Sequence, residues 1–322
     1  MASGLGLVEE TVSPEEAALT AEFITFLKEA SARRHPTGPI RRFNQGRHTA
    51  CVDAQFTVHD DLPAPHRVGL FARGATYRAF IRFANATSGS DEEKDVRGMS
   101  ISLADVPGMN LTPGETRQDF VLNSHPVMMA PDAREFLALL RANEAGGVRR
   151  ILYFGTHPKA ARIAFASRQN PSSHLDIPYW STTPYLFGQG RAVKYIVRPC
   201  SERTSQLPAN LTSTYLQDAL ATHLAQAEAC FDFLVQFHVD EARTPIEDAS
   251  VEWNEPEHRV ARITIPPQRV DDPSRASACE DVAFNPWHCL AEHRPLGSMN
   301  RARREIYRAL SEYRRAAAAA RR

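Results

Sequence analysis

Short hydrophobic runs recur along the chain, separated by turn-forming residues. The runs are rich in branched and aromatic side chains and are bounded by Gly, Pro, Asp and Asn, a pattern typical of β-strands. They lie at residues 50–58, 77–83, 99–103, 119–122, 192–197, 231–239 and 259–265. Their short, regular spacing favours an antiparallel sheet or barrel.

Helical patterns open the chain and return in its middle and at its end. Residues 13–16, Ser-Pro-Glu-Glu, combine a capping serine, a proline at the first helical position and acids in the first turn. The apolar positions Phe23, Ile24 and Leu27 then suit one buried stripe. Further helices are predicted at 132–141, 159–167, 213–228 and 299–315. Together the two patterns predict an α+β protein.

Composition excludes some partners. The chain has 322 residues, and its 38 Lys and Arg balance its 38 Asp and Glu. No overall field therefore attracts nucleic acid or an anionic membrane, so nucleic acid is not an expected partner. No stretch of about twenty apolar residues and no signal-peptide pattern occurs. These features predict a soluble, cytoplasmic protein without a membrane span.

The five cysteines give a second indication of compartment. They are odd in number, scattered, and without a Cys-x-x-Cys pair, at Cys51, Cys200, Cys230, Cys279 and Cys289. This distribution argues against a disulfide framework and against a zinc site. The sequence therefore predicts buried thiols in a reducing compartment.

Arg303 and Tyr307 are the most informative pair for chemistry. They stand four residues apart in the predicted C-terminal helix and so share one helix face. A guanidinium held beside a phenol favours the phenolate, which lowers a pKa that is ordinarily about 10. A phenolate is a good ligand for ferric haem, and tyrosine is the haem ligand of catalases. This Arg-x-x-x-Tyr helix resembles theirs.

Other segments carry the same resemblance, in the same order. Residues 80–98 are similar to the catalase stretch in which Arg-Phe leads through a polar loop to Arg-Gly, and residues 119–129 to the segment with the distal asparagine. Residues 179–185 and 284–288 extend the likeness over roughly residues 40–315. The chain resembles the small catalase-related haem proteins.

The resemblance implies a fold and a division of the chain. The fold would be a closed antiparallel β-barrel with surrounding helices, lacking the long extensions of full-length catalases. Residues 1–40 would be an N-terminal helical segment, 41–315 the haem-binding domain, and 316–322 a basic tail. A homo-oligomer is left open, and it would be built differently from that of catalases.

The resemblance also implies a haem b site. Tyr307 would be the axial ligand of the iron, with Arg303 keeping it anionic. Arg82, and as a weaker candidate Arg42, would pair with the haem propionates. Asn123 would hydrogen-bond a bound peroxide.

The distal base is where the resemblance departs from the catalase pattern. His48 is a candidate, since an imidazole can accept and return a proton at neutral pH. Without a two-residue gap the position falls on Gly46, and another alignment puts Gln45 there. Catalases brace the distal histidine with a serine where this chain has Ala84. His125 is interpreted as part of a turn, with a place in the pocket as the alternative.

These residues predict a haem-dependent peroxidase or catalase-like oxidoreductase. Its substrates would be hydrogen peroxide or organic hydroperoxides, together with an organic co-substrate. One alternative is a biosynthetic enzyme that rearranges hydroperoxides and has weak catalase activity. Another is a non-catalytic haem-binding protein or sensor.

Overall fold

An antiparallel β-barrel forms the core of the computed structural model, which describes residues 8–200, 205–270 and 272–320. Its strands are, in chain order, β1 Arg47–Val58, β2 Ala75–Asn85, β3 Arg97–Leu103, β4 Gln118–Asn123, β5 Tyr179–Trp180, β6 Tyr185–Leu186, β7 Ala192–Pro199, β8 Ala229–Phe237 and β9 Glu257–Ile265. Each of the longer strands coincides with one of the predicted hydrophobic runs. The short β5 and β6 were not predicted.

The sheet closes into a barrel because β5 pairs with both β4 and β7. The hydrogen-bonded order is β5-β4-β3-β2-β1-β9-β8-β7, and β5 pairs with β7 to complete a ring of eight strands within the described residues. The remaining strand, β6, also pairs with β7. The predicted antiparallel barrel is therefore confirmed. Closure leaves the ring without free strand edges.

Helices pack outside the barrel. In the described part of the chain they are α1 Glu16–Arg34, α2 Ala133–Ala145, α3 Gly147–Thr156, α4 Pro158–Ser167, α5 Tyr215–Leu224, α6 Pro273–Asp281 and α7 Ser298–Ala319. Five of them correspond to predicted helices, whereas α3 and α6 were not predicted. The last helix, α7, continues to Ala319 and so includes part of the segment that was predicted to be a basic tail.

Alternation along the strands separates the barrel interior from its outer face. Phe83, Met99 and Leu122 belong to the buried hydrophobic core. Their strand neighbours Arg82 and Ser100 therefore project from the opposite face, because successive side chains in a strand alternate. The register pairs Arg82 with Ser100 across β2 and β3, and Ser100 with Val121 across β3 and β4. A band of side chains thus crosses three strands on the outer face.

Three helices pack together beside this outer face. Phe23 and Leu27 of α1, Leu137 of α2, and Ala302 and Ile306 of α7 form one buried apolar cluster. The N-terminal helix is therefore part of the wall that α7 and α2 build. It is packed into the domain that was predicted to begin at residue 41.

Four cysteines are disulfide-bonded, which corrects the prediction of buried thiols. Cys51 pairs with Cys279 and Cys200 pairs with Cys230, while Cys289 is a buried free thiol. The partners are 228 and 30 residues apart in sequence. The fold brings them together: Cys51 lies on β1 against α6, and Cys200 follows β7 next to β8. Spacing in the sequence alone does not reveal either pair.

Candidate functional site

A cavity of about 270 Å³ lies between the outer face of the barrel and the helices. Arg82, Ser100 and Val121, the band that crosses β2, β3 and β4, form part of its barrel wall. The helical wall includes Phe23 of α1 and Leu140 of α2. Apolar side chains make up most of the lining, and the polar side chains include arginines, amides, a histidine and a tyrosine.

One face of α7 supplies the charged groups of the helical wall and its tyrosine. Arg303, Tyr307, Leu310 and Arg314 all line the cavity, and their spacings of four, three and four residues keep them on one helix face. Arg303 donates hydrogen bonds to Thr183 Oγ1 at 3.1 Å and to Asn300 Oδ1 at 3.2 Å. These partners are neutral, so they orient the guanidinium without cancelling its charge.

Arginines cluster at one end of the cavity. Arg42, Arg82 and Arg314 all line it, and Glu280 of α6 lies against the first two. An Arg42 Nη1 donates to Glu280 Oε2 at 2.7 Å, and Arg82 Nη2 lies 3.7 Å from Glu280 Oε1. The buried Nε of Arg82 has no hydrogen-bond partner. Three positive charges thus face one carboxylate, which leaves this end of the cavity cationic.

Burial and mutual repulsion act on these groups. Burial and the nearby charge of Arg42 lower the pKa of Arg82 to about 9, although Glu280 opposes the shift. The pKa of Arg314 falls to about 10 for the same reasons. For Glu280, burial raises the pKa, but the hydrogen bond with His48 and the charges of Arg42 and Arg82 outweigh it and bring the value to about 2. The carboxylate is thus stabilised in its charged form.

Gln45 and Asn123 place two side-chain amides on the barrel side of the cavity. Gln45 Nε2 donates to Asn123 Oδ1 at 3.3 Å, and both residues line the cavity. The backbone of Gln45 is held in the left-handed region, with φ 55°. Its N–H donates to the Ala86 carbonyl at 2.7 Å and its own carbonyl accepts from Arg82 Nη2 at 2.7 Å. Non-glycine residues in this conformation are uncommon and cluster at functional sites.

Gly98 makes room for the Gln45 side chain. A Cβ atom at position 98 would stand 2.3 Å from Gln45 Nε2. Position 98 is also directly opposite Asn123 in the β3–β4 register. Glycine here therefore lets the two amides meet.

The structure places His48 outside the cavity lining. A register shift between His48 and Ala50 turns the strand locally, and His48 lies opposite Ala84. Its Nδ1 is 2.5 Å from Glu280 Oε1. The His48 imidazole therefore contacts Glu280, the carboxylate that also lies against Arg42 and Arg82. The residue beside Asn123 is Gln45.

His125 lies in the bend that follows β4, as predicted, and also lines the cavity. Burial lowers its pKa. It is the one histidine in the described part of the lining. A place in the turn and a place in the pocket, the two interpretations of His125, are therefore compatible.

The structure brings together five of the six predicted site residues. Arg42, Arg82, Asn123, Arg303 and Tyr307 line one cavity, and His48 does not. Sequence reasoning missed Glu280 and Arg314. The sequence does indicate Arg314, since it stands seven residues after Tyr307 on the same helix face. It does not indicate Glu280, because the helix that contains Glu280 was not predicted.

Comparison with known proteins finds the same fold in solved structures. No protein-family model matches the chain, and no curated protein sequence matches it. Three solved structures share its fold at 16% sequence identity: a fungal catalase with a TM-score of 0.69, a bacterial catalase with 0.67, and catalase A from Saccharomyces cerevisiae with 0.70. The chain has a catalase-like fold.

The catalase-like fold extends over nearly the whole chain but not over the whole of these catalases. The alignments cover 98%, 90% and 97% of this chain. They cover 65% of the fungal catalase, 60% of the bacterial one and 67% of the yeast one. The chain is thus shorter than these catalases, and the part they share is the barrel and its helices.

Proposed function

We propose that this protein binds haem b in the cavity and is an oxidoreductase that acts on hydrogen peroxide or organic hydroperoxides. One observation carries the proposal. Arg303 and Tyr307 from α7, Gln45 from the loop before β1, and Asn123 from the end of β4 line the same cavity. Tyr307, as the residue that would hold the iron, and two hydrogen-bonding amides would thus surround a flat hydrophobic group bound there.

The cationic end of the cavity fits a group with two carboxylates. Arg42, Arg82 and Arg314 outnumber the carboxylates that act on them, Glu280 and Asp281, so two propionates would meet a net positive charge. The buried Arg82 Nε without a partner is a free donor for such a carboxylate. Guanidinium groups form strong, charge-assisted hydrogen bonds with carboxylates. These three arginines would hold the propionates.

Tyr307 would hold the haem iron through its phenol oxygen. Arg303 stands one helical turn away, and its hydrogen bonds to Thr183 and Asn300 leave its charge uncompensated. In the haem-loaded protein the positive charge of Arg303 would balance the negative charge of the tyrosine oxygen that binds the iron.

Bound haem iron would supply the redox chemistry of O–O bond cleavage. Asn123 and Gln45 would donate hydrogen bonds to the oxygen atoms of a hydroperoxide, and the apolar lining would exclude water. A carboxamide can donate and accept hydrogen bonds, but it does not take up a proton at neutral pH. Because Gln45 rather than His48 lies beside Asn123, proton transfer between the peroxide oxygens would not use His48, and His125 is the histidine that lines the cavity within the described residues.

This feature also favours a second candidate function. An enzyme that rearranges an organic hydroperoxide, with only weak catalase activity, needs the same haem pocket but less proton transfer. The mostly apolar lining suits an organic substrate. The proposed small-molecule partners are thus a hydroperoxide and, for the peroxidase reaction, an organic co-substrate.

Stopped-flow spectroscopy of the haem-loaded protein distinguishes these functions. Hydrogen peroxide and cumene hydroperoxide would be compared as substrates. Faster reaction with hydrogen peroxide supports the catalase-like activity, and faster reaction with the organic compound supports the second candidate. Haem binding without reaction with either would overturn both in favour of a sensor.

A cytoplasmic location was predicted from the sequence, and it stays a proposal. No helix in the described ranges has the length and hydropathy to span a bilayer. The two disulfides weigh against the cytoplasm, because thiols there are kept reduced. Fractionation of the native organism, with the cysteines alkylated at lysis, would decide the compartment.

A further inference from the structure

The surface of α3 and α4 exposes large apolar side chains. Val148, Ile151 and Leu152 of α3 and Phe165 of α4 are between 61% and 88% exposed. The three α3 residues follow a spacing of three and one, which keeps them on one helix face. None of the residues of α3 is buried. Exposed apolar groups concentrated on adjoining elements mark an interaction surface.

The opposite side of α3 packs against α2. Tyr153 OH donates to the Glu135 carbonyl of α2 at 3.4 Å, and the Tyr153 ring stacks on His157 at a centroid distance of 4.1 Å. On the helix Tyr153 projects away from Val148, Ile151 and Leu152. The helix thus packs on α2 with one side and offers its apolar side to the surroundings.

The charge of this region is one-sided. Residues 145–175 contain five lysines or arginines and no aspartate or glutamate, in a chain whose charges balance overall: Arg149, Arg150, Lys159, Arg162 and Arg168. Lys159 lies 3.8 Å from Asp248, and Arg168 donates to Thr87 Oγ1 at 3.3 Å. Arg149, Arg150 and Arg162 are exposed, and their side chains have no ion pair or hydrogen bond among the described residues. Three free cations therefore accompany the apolar side chains.

We propose that the α3–α4 surface, defined by Val148, Ile151, Leu152, Phe165 and these three arginines, binds the surface of an anionic lipid bilayer. Apolar side chains would enter the acyl region while the arginines contact the phosphates of the headgroups. An amphipathic helix with a basic polar side lies in a membrane interface in this way. The surface would hold the protein on the membrane without crossing it.

The cavity adjoins this surface. Asn143 of α2, four residues before α3 begins, lines the cavity, as does Ser167, two residues after Phe165. A hydrophobic hydroperoxide that leaves the bilayer would therefore meet the cavity wall close to the docking surface. This route rests on the proposed function, whereas the lipid binding itself needs neither haem nor catalysis.

Vesicle flotation tests the lipid binding directly. The full chain would be mixed with vesicles of equal parts phosphatidylcholine and phosphatidylglycerol, and separately with pure phosphatidylcholine. We expect it to float with the anionic vesicles, and less so at high salt because screening weakens the attraction. A chain that stays unbound with the anionic vesicles overturns the proposal.

Variants at exposed positions test the surface itself. Ile151→Asp with Leu152→Asp, and Arg149→Glu with Arg150→Glu, should each weaken partitioning by at least about tenfold. Met109→Asp and Arg73→Glu are matched controls at exposed positions elsewhere and should bind as the native chain does. Equal binding by the α3 variants and the controls overturns the assignment to this surface.

Light scattering on the same samples tests a different occupant, a second copy of the chain. A native dimer that Ile151→Asp with Leu152→Asp converts to a monomer, without vesicle binding by the native chain, would show that another copy covers α3. That result overturns the proposal. Haem content and hydroperoxide turnover in detergent-free buffer are expected to be unchanged in these variants, so a failure here and a failure of the proposed function are distinguishable.

Discussion

The side-chain amide of Gln45 donates a hydrogen bond to the side-chain oxygen of Asn123 across 3.3 Å. The two residues come from a loop before β1 and from the end of β4, and Gly98 leaves the space in which they meet. Gln45 is fixed by its backbone hydrogen bonds to Ala86 and Arg82. On the distal side of the proposed haem pocket, the group that lies beside the Asn123 amide is therefore a second amide, and not the imidazole of His48.

Gln45→His should restore a distal base. Histidine tolerates the left-handed backbone better than most residues, and an imidazole beside Asn123 could move a proton between peroxide oxygens. We expect hydrogen peroxide turnover by the haem-loaded protein to rise by about 10²-fold or more. Oxygen evolution measures it.

His48→Ala is the matched control for Gln45→His. The native rate should stay within a factor of about two, because His48 lies outside the cavity lining. If loss of His48 abolished turnover while Gln45→His changed nothing, the distal assignment would be wrong.

Arg314→Gln should weaken haem binding because it removes one of three cations at the propionate end. A charge-assisted hydrogen bond is typically worth about 1.5–3 kcal/mol, so the affinity should fall by roughly tenfold to a hundredfold. Arg315→Gln is the matched control, since Arg315 is exposed and bonds Ser311 instead. Haem titration followed by absorbance compares them, and equal affinities would exclude a role for Arg314.

Glu280→Gln should change the pH dependence of stability. The pKa of Glu280 is about 2 in the fold against an ordinary 4.5. Because the folded-state pKa is the lower one, the carboxylate stabilises the fold fully above pH 4.5, and this contribution is lost as the pH falls towards 2. The side chain is 39% exposed, so we expect a difference of only about 1 kcal/mol near neutral pH.

Urea unfolding at a series of pH values measures this difference. The gap between the native chain and Glu280→Gln should narrow below pH 4.5. Asp281→Asn, at the exposed neighbouring position, should show a smaller gap. A gap that is constant with pH would contradict the ionic role of Glu280.

Peptide mapping without reduction should find two cross-links. Peptides with Cys51 and Cys279 should be joined, as should those with Cys200 and Cys230, while Cys289 should be alkylated only after unfolding. Reduction should lower the free energy of unfolding by about 2–4 kcal/mol for a bond of this kind. Five alkylatable thiols in the native, oxidised protein would reinstate the prediction from the sequence.

The sequence was sufficient for most of the barrel because its strands alternate or run apolar between turn residues. It was not sufficient for α3. The apolar residues of this helix face outward and do not pack into the core, so they do not form the buried stripe by which a helix is recognised. It was not sufficient for α6 either, since that helix is polar and is joined to β1 through Cys279. Local patterns carry no information on such tertiary partners.

In the site, Arg303 and Tyr307 could be predicted because helix periodicity places them on one face. The distal residue could not, because the choice between Gln45 and His48 depends on a strand irregularity after His48 and on the positive φ of Gln45. A shift of one residue in a strand reverses the direction of a side chain. The local excess of positive charge around α3 was also not predicted, because the prediction used only the net charge of the whole chain, which is zero.

The absorption spectrum of the haem-titrated protein tests the central claim, ligation by Tyr307, most directly. The native chain should give a high-spin ferric spectrum of tyrosinate type, and Tyr307→Phe should lose or clearly alter it. Tyr313→Phe, elsewhere on α7, should leave it unchanged. A native chain that binds no haem, or a Tyr307→Phe spectrum identical to the native one, would contradict the account.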